Sequence, residues 1–151
     1  MAKNVNPKQT FGDLEPSAWP GERLSLPETG SLSIARIGRR IGAIMVDWII
    51  ATIISQGITR MIAPETYADL VPTATLAVFA VLQIIFIPTI GGSIGHRIFG
   101  LRIINLNGGW VGLWRPAVRT LLLLLVIPVI VWDSDQRGFH DKISGTALVI
   151  A

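Results

Sequence analysis

Apolar positions gather into three runs separated by polar stretches, and residues 1–33 join none of them. That leading stretch is polar, carries Pro7, Pro16, Pro20 and Pro27, and keeps neither a helical nor a strand period. It has too little apolar surface to offset the entropy of ordering, so a flexible cytoplasmic N-terminal tail is expected over 1–33. The first run, 41–62, follows Arg36, Arg39 and Arg40 and is interrupted by Asp47, Gln56 and Arg60. Its length is close to the ~20 residues that a bilayer core requires. Arg60 lies near the far end, where its long side chain reaches the headgroups. A connector at 63–71 holds Pro64, which stops the helix, then Glu65, Tyr67 and Asp69. The second run, 72–90, has no charged side chain, and Gln83 is its strongest polar group.

The next stretch, 91–119, holds His96, Arg97, Arg102, Arg115 and Arg119 and no acid. Leu101 to Asn105 alternates loosely and precedes Asn107-Gly108-Gly109, so a short strand or an amphipathic surface element is expected there. Trp110 and Trp114 suit the headgroup level. The third run centres on 120–132, thirteen residues, which is short of a span at ~1.5 Å per residue. Two readings stay open. Either 113–132 crosses fully with Arg115 and Arg119 snorkelling, or it is a re-entrant element broken at Pro128. The chain then turns charged over 133–142 and apolar again to Ala151. This last part is too short to span. A strand beside Leu101–Asn105 fits it, and such pairing would bring both ends of the third run to one side, favouring the re-entrant reading. The expected fold class is therefore an all-α membrane protein of about three transmembrane helices. Its third helix is short, and small surface strands accompany the membrane domain at 34–151.

Composition strengthens the membrane reading: only 15% of residues are charged, against roughly 25% in soluble domains, and the mean hydropathy is +0.55. The net charge of +3 comes from arginines beside apolar runs rather than along one helix face. That placement suits a membrane surface and not a nucleic-acid groove. There is no cysteine, so disulfides and thiolate metal sites are excluded. The first thirty residues lack an apolar signal core, so the first run is expected to act as a signal-anchor. Bases flank the two outer sides of the first two runs, while two acids lie between them. The positive-inside rule then puts the N-terminus and 91–119 in the cytoplasm of a multi-pass plasma-membrane protein.

Asp47 is the first candidate for chemistry, because an ionised carboxylate at mid-helix costs about 2.5–3.5 kcal/mol on insertion scales. It follows Arg40 by seven residues, roughly 10 Å along the axis, which is too far for direct contact. It either serves an ion or proton path or holds helices together by pairing with Arg97, Arg115 or Arg119. His140-Asp141 is the second candidate: a proton shuttle near neutral pH, or a capping and interfacial cluster. Gly91-Gly92-Ser93-Ile94-Gly95 matches G-x-S-x-G, but the nucleophile elbow requires an α/β-hydrolase sheet for which this chain is too short. The glycines fit a tight exit from the second run. The spacing of Gly91 with Gly95, and of Gly38 with Gly42, also suits close helix packing. No metal-ligand spacing, phosphate loop or dinucleotide fingerprint appears, so neither cofactor nor enzymatic activity is expected.

Three segments together resemble the RDD family of small bacterial membrane proteins, named for one arginine and two aspartates. They are Arg40-Ile-Gly-Ala-Ile-Met-Val-Asp47, then Gly91-Gly-Ser-Ile-Gly95-His-Arg97-Ile-Phe-Gly100-Leu-Arg102, then Arg137-Gly-Phe-His140-Asp141-Lys-Ile-Ser-Gly145-Thr146. The resemblance covers about 33–151 and implies that Arg40, Asp47 and Asp141 are the namesake residues. The proline-bearing tail and 132–136 are similar to actinobacterial members. What the resemblance implies about activity is transport, including cation/proton exchange by some members; because three short spans enclose little on their own, a pathway would have to form between protomers of an oligomer. The alternative expectation is an accessory subunit of a larger membrane complex, such as a respiratory assembly.

Overall fold

The computed structural model describes residues 17–106, 108–124 and 139–151, without the side chains of Phe139 and His140. Two long helices dominate it: α1, Ile37–Ile62, and α2, Tyr67–Ile90. Both are long and apolar enough to cross a membrane. Each begins several residues before the expected span. Helical hydrogen bonding continues into the polar flank, where hydropathy has already fallen. They form an antiparallel hairpin joined by a single 3-10 turn at Pro64–Thr66. At this turn the Arg60 guanidinium lies 5.0 Å over the Tyr67 ring.

The hairpin buries small and polar side chains and exposes large apolar ones. Ala43, Asp47, Ala51, Ser55 and Thr59 line the inner face of α1, and Thr75, Phe79, Gln83 and Ile87 that of α2. Met45 is 59% exposed and Ile53 66% exposed on the outer face. Small residues let the helices approach closely, and buried hydroxyls bond across or along them. Ser55 and Thr75 hydroxyls are 2.7 Å apart, and the Thr59 hydroxyl donates to the Ser55 carbonyl at 2.7 Å. Outward-facing isoleucines are at home in acyl chains rather than in water.

At Gly91 the chain enters the left-handed region (φ 74°), closing α2, and folds back as the short helix α3, Ile94–Ile98. Strand β1, Leu101–Asn105, follows, then α4, Trp114–Leu124. The helix α5, Phe139–Ser144, leads into β2, Thr146–Ile150. β1 and β2 pair antiparallel, with Leu101 opposite Ile150 and Asn105 opposite Thr146. The expected strand is thus present at Leu101–Asn105, its partner is the C-terminal apolar stretch, and the fold is mostly helical rather than all-α. The sheet is not merely superficial: Leu101, Ile103 and Leu148 pack with Ala35, Ala43 and Ile87 into one core. The expectations for the third run beyond Leu124, a full crossing to 132 or a break at Pro128, lie outside the described residues. Its described start and the segment after it lie at the same end of the hairpin, since α4 and α5 are ion-paired.

Residues 1–16 also lie outside the description, but 17–33 differ from the expected tail. Ile34 bridges to Val149, the Leu32 amide donates to the Ile150 carbonyl, and the Ala35 amide donates to the Leu148 carbonyl. Leu24 and Leu26 pack on Ile34, Ala147 and Val149. The Trp19 indole N–H donates to the Leu26 carbonyl at 3.1 Å. A strap built from turns has no periodic pattern, and its order comes from the sheet it covers.

Candidate functional site

Two buried polar nodes lie at the sheet end of the hairpin. The first centres on Asp141, whose side chain is 0% exposed. Arg40, in the first turn of α1, donates through Nη1 to Asp141 Oδ2 at 3.0 Å. Arg119, on the inner face of α4, donates through Nε to Asp141 Oδ1 at 2.7 Å. Arg40 also donates through Nε to the Ala35 carbonyl at 2.8 Å and through Nη2 to the Leu148 carbonyl at 3.4 Å. One guanidinium thereby fixes the start of α1 to α5 and to the second strand. The fork of an arginine suits this task, because it carries several donors in fixed geometry. Buried ions persist only when paired and hydrogen-bonded, and here two cations share one anion. Among the described residues, Arg119 Nη1 is buried without a hydrogen-bond partner.

The second node centres on Asp47, two turns deeper in α1 and 4% exposed. Gln83 of α2 donates Nε2–H to its Oδ2 at 3.0 Å, and the Ser93 hydroxyl donates to the same oxygen. The Gly95 amide donates to Oδ1 at 2.7 Å. The carboxylate therefore occupies the start of α3 and accepts from a free helical N–H, as an anion at a helix terminus does. Such approach requires Gly95: a Cβ there would fall 2.9 Å from Asp47 Cγ and closer still to the Ala43 carbonyl. Ser93 and His96 form a reciprocal capping box. The His96 amide donates to Ser93 Oγ at 3.2 Å, and the Ser93 amide donates to His96 Nδ1 at 3.1 Å. Ser93 Oγ is also in contact with His96 Nδ1. With the Ser93 proton directed to Asp47, the G-x-S-x-G serine acts as a helix cap rather than as a base-activated nucleophile.

The structure corrects the expected partner of Asp47. Its hydrogen-bond partners are Gln83, Ser93 and Gly95, while Arg119 is engaged by Asp141. A buried carboxylate can be served by several neutral hydrogen-bond donors without a cation beside it. Of the other sequence candidates, Arg97 and Arg102 are exposed and belong to neither node. The His140 side chain lies outside the described residues. Gly91, Gly100 and Gly145 adopt positive φ at turns, and a Cβ on Gly92 would meet His96 Cβ at 3.1 Å. Sequence reasoning assigned no node role to Ser93, His96 or Gln83, and considered Arg119 for the wrong acid. The available signals were a glutamine inside an uncharged run and a serine three residues before a histidine at a glycine-rich helix start. Among the described residues no group of histidines and acids could hold a metal ion.

The family model described as RDD family matches residues 34–145, which contain the charged residues of both nodes. No curated protein and no solved structure matches the chain.

Proposed function

The chain belongs to the RDD family, and from that premise we propose that it is a non-enzymatic accessory subunit of a larger membrane assembly, its polar residues serving architecture rather than permeation. The observation that carries this reading is that the buried Asp47 carboxylate accepts from Gln83, Ser93 and Gly95 within one chain. A carboxylate that relays ions needs an exchangeable position, whereas this one is 4% exposed. The Arg40–Asp141–Arg119 cluster supports the same reading, for it ties α1, α4, α5 and β2 into one platform at the membrane surface. Exposed Arg36, Arg39, Arg97, Arg102 and Lys142 lie at the sheet end, against the single base Arg60 with exposed Glu65 and Asp69 at the other, among the described residues. That asymmetry favours a plasma-membrane orientation with the platform in the cytoplasm. Among the described residues, α1 and α2 are the helices long and apolar enough to cross the bilayer.

A transport reading draws on one observation. Ser55, Thr59, Thr75 and Gln83 make a polar seam leading from Asp47 along the hairpin, and Gln83 Oε1 is buried without a partner among the described residues. Proton and cation flux into proteoliposomes separates the two. The accessory role predicts that wild type and Asp47→Asn both match empty liposomes, while the variant unfolds more readily. Flux above that baseline, lost in Asp47→Asn, overturns it. Recovery of stoichiometric partners in mild detergent would complete the case.

A further inference from the structure

A cleft of about 480 Å³ opens between the end of α2, strand β1 and Trp110. Its lining is divided by chemistry. Ile90 supplies exposed apolar surface in front of the buried Ile87 and Ile103, and the exposed Arg97 and Arg102 supply two guanidinium groups. Among the described residues neither arginine is held by a carboxylate. Trp110 is fixed at the rim by its indole N–H, which donates to the Pro88 carbonyl at 2.8 Å. That bond also satisfies a carbonyl of the last turn of α2, so the rim presents the ring rather than bare acceptor groups. Ile98, Leu113 and Trp114 stand exposed nearby in the chain, the last at 77%.

We propose that this cleft binds the phosphate of an anionic phospholipid. Three features select that chemistry. Two unpaired guanidiniums suit a phosphodiester. The cleft lies where a membrane-crossing helix ends, which is headgroup depth, and an indole belongs there. The exposed Ile90 and the Trp110 ring offer acyl chains a surface that inorganic phosphate would not use. The proposal rests on the chain being embedded in a bilayer and is independent of whether it is accessory or transporting.

The test uses the full chain in dodecyl maltoside, with binding of phosphatidylglycerol, phosphatidylcholine and inorganic phosphate each read by native mass spectrometry and by thermal shift. Each arginine near an anionic headgroup contributes on the order of 1 kcal/mol. Arg97→Gln with Arg102→Gln should therefore weaken phosphatidylglycerol binding about 30-fold, or about 2 kcal/mol at 1.4 kcal/mol per tenfold. Arg36→Gln with Arg39→Gln, exposed arginines outside the cleft, should change it less than about threefold, the scatter of single contributions. Selective phosphatidylglycerol binding that falls only in the cleft variant supports the proposal. Equal loss in both double variants would show diffuse attraction and overturn it, as would unchanged binding in the cleft variant. Binding of phosphate as tight as that of the lipid would assign the cleft to a free anion instead, also overturning it. If the double variant is not monodisperse, the single substitutions carry the same comparison at about fivefold each.

Discussion

Replacing Asp141 by Asn removes the anion lying between two buried guanidinium groups. The carboxylate accepts from Arg40 at 3.0 Å and from Arg119 at 2.7 Å. With charge centres roughly 4 Å apart and an effective dielectric of about 20, each attraction is worth about 4 kcal/mol. Desolvation of all three ions opposes those gains, so their sum is not the stability of the cluster. The relevant figure is the removal of one partner from a buried pair, about 3–5 kcal/mol. The upper part of that range is expected, because Arg40 remains tethered to the Ala35 and Leu148 carbonyls and cannot readily follow water. Unfolding in mixed micelles, followed by tryptophan fluorescence, measures the loss. A triple variant, Asp141→Leu with Arg40→Met and Arg119→Met, should recover most of it, since apolar replacement of a buried ionic cluster is often neutral or stabilising. A loss below about 1 kcal/mol for Asp141→Asn would refute the reasoning. So would a double-mutant cycle of Arg40→Met with Asp141→Asn that shows no coupling.

Further outcomes follow from the packing. Gly95→Ala drives a methyl group against the Ala43 carbonyl and Asp47, so α3 must retreat from α1. A loss of about 1–3 kcal/mol is expected in the same unfolding assay, together with faster hydrogen exchange at the Gly95 amide; unchanged exchange would contradict the close approach. Ser55→Ala and Thr75→Ala should each cost roughly 0.5–1.5 kcal/mol, with a coupling near ~0.6 kcal/mol if their hydroxyls bond as drawn. A cycle that adds independently would remove that bond from the account.

Much of the architecture could be read from the chain because it depends on local runs. The two long helices follow from apolar length, and β1 follows from alternation before Asn107-Gly108-Gly109. The partner of β1 was legible from the apolar close of the chain. The pairing of charges was harder, since Arg40 and Asp141 meet across 101 residues and nothing local specifies which acid an arginine will choose. Asp47 invited a cationic partner on charge grounds, yet its requirement is met by one amide, one hydroxyl and one backbone N–H. That solution depends on Gly95 allowing α3 to approach α1, a property of three-dimensional packing. The strap at 17–33 was illegible for another reason: its order derives from the sheet beneath it, and its own composition carries no sign of it.

The separation of Arg40 from Asp141 also bears on the order of events during synthesis. The arginine emerges from the ribosome about a hundred residues ahead of its acid, on the order of five to twenty seconds at ordinary elongation rates. Through that interval α1 can enter the bilayer with Arg40 hydrated at the surface, but the node cannot close. Strand β2, which also completes the sheet and seats Ile34, arrives later still. The domain is therefore completed only by its last-made part, and a nascent or prematurely terminated chain would display an arginine without Asp141 and an open β1 edge. Those are the features that membrane quality-control proteases could use to tell unfinished copies from finished ones.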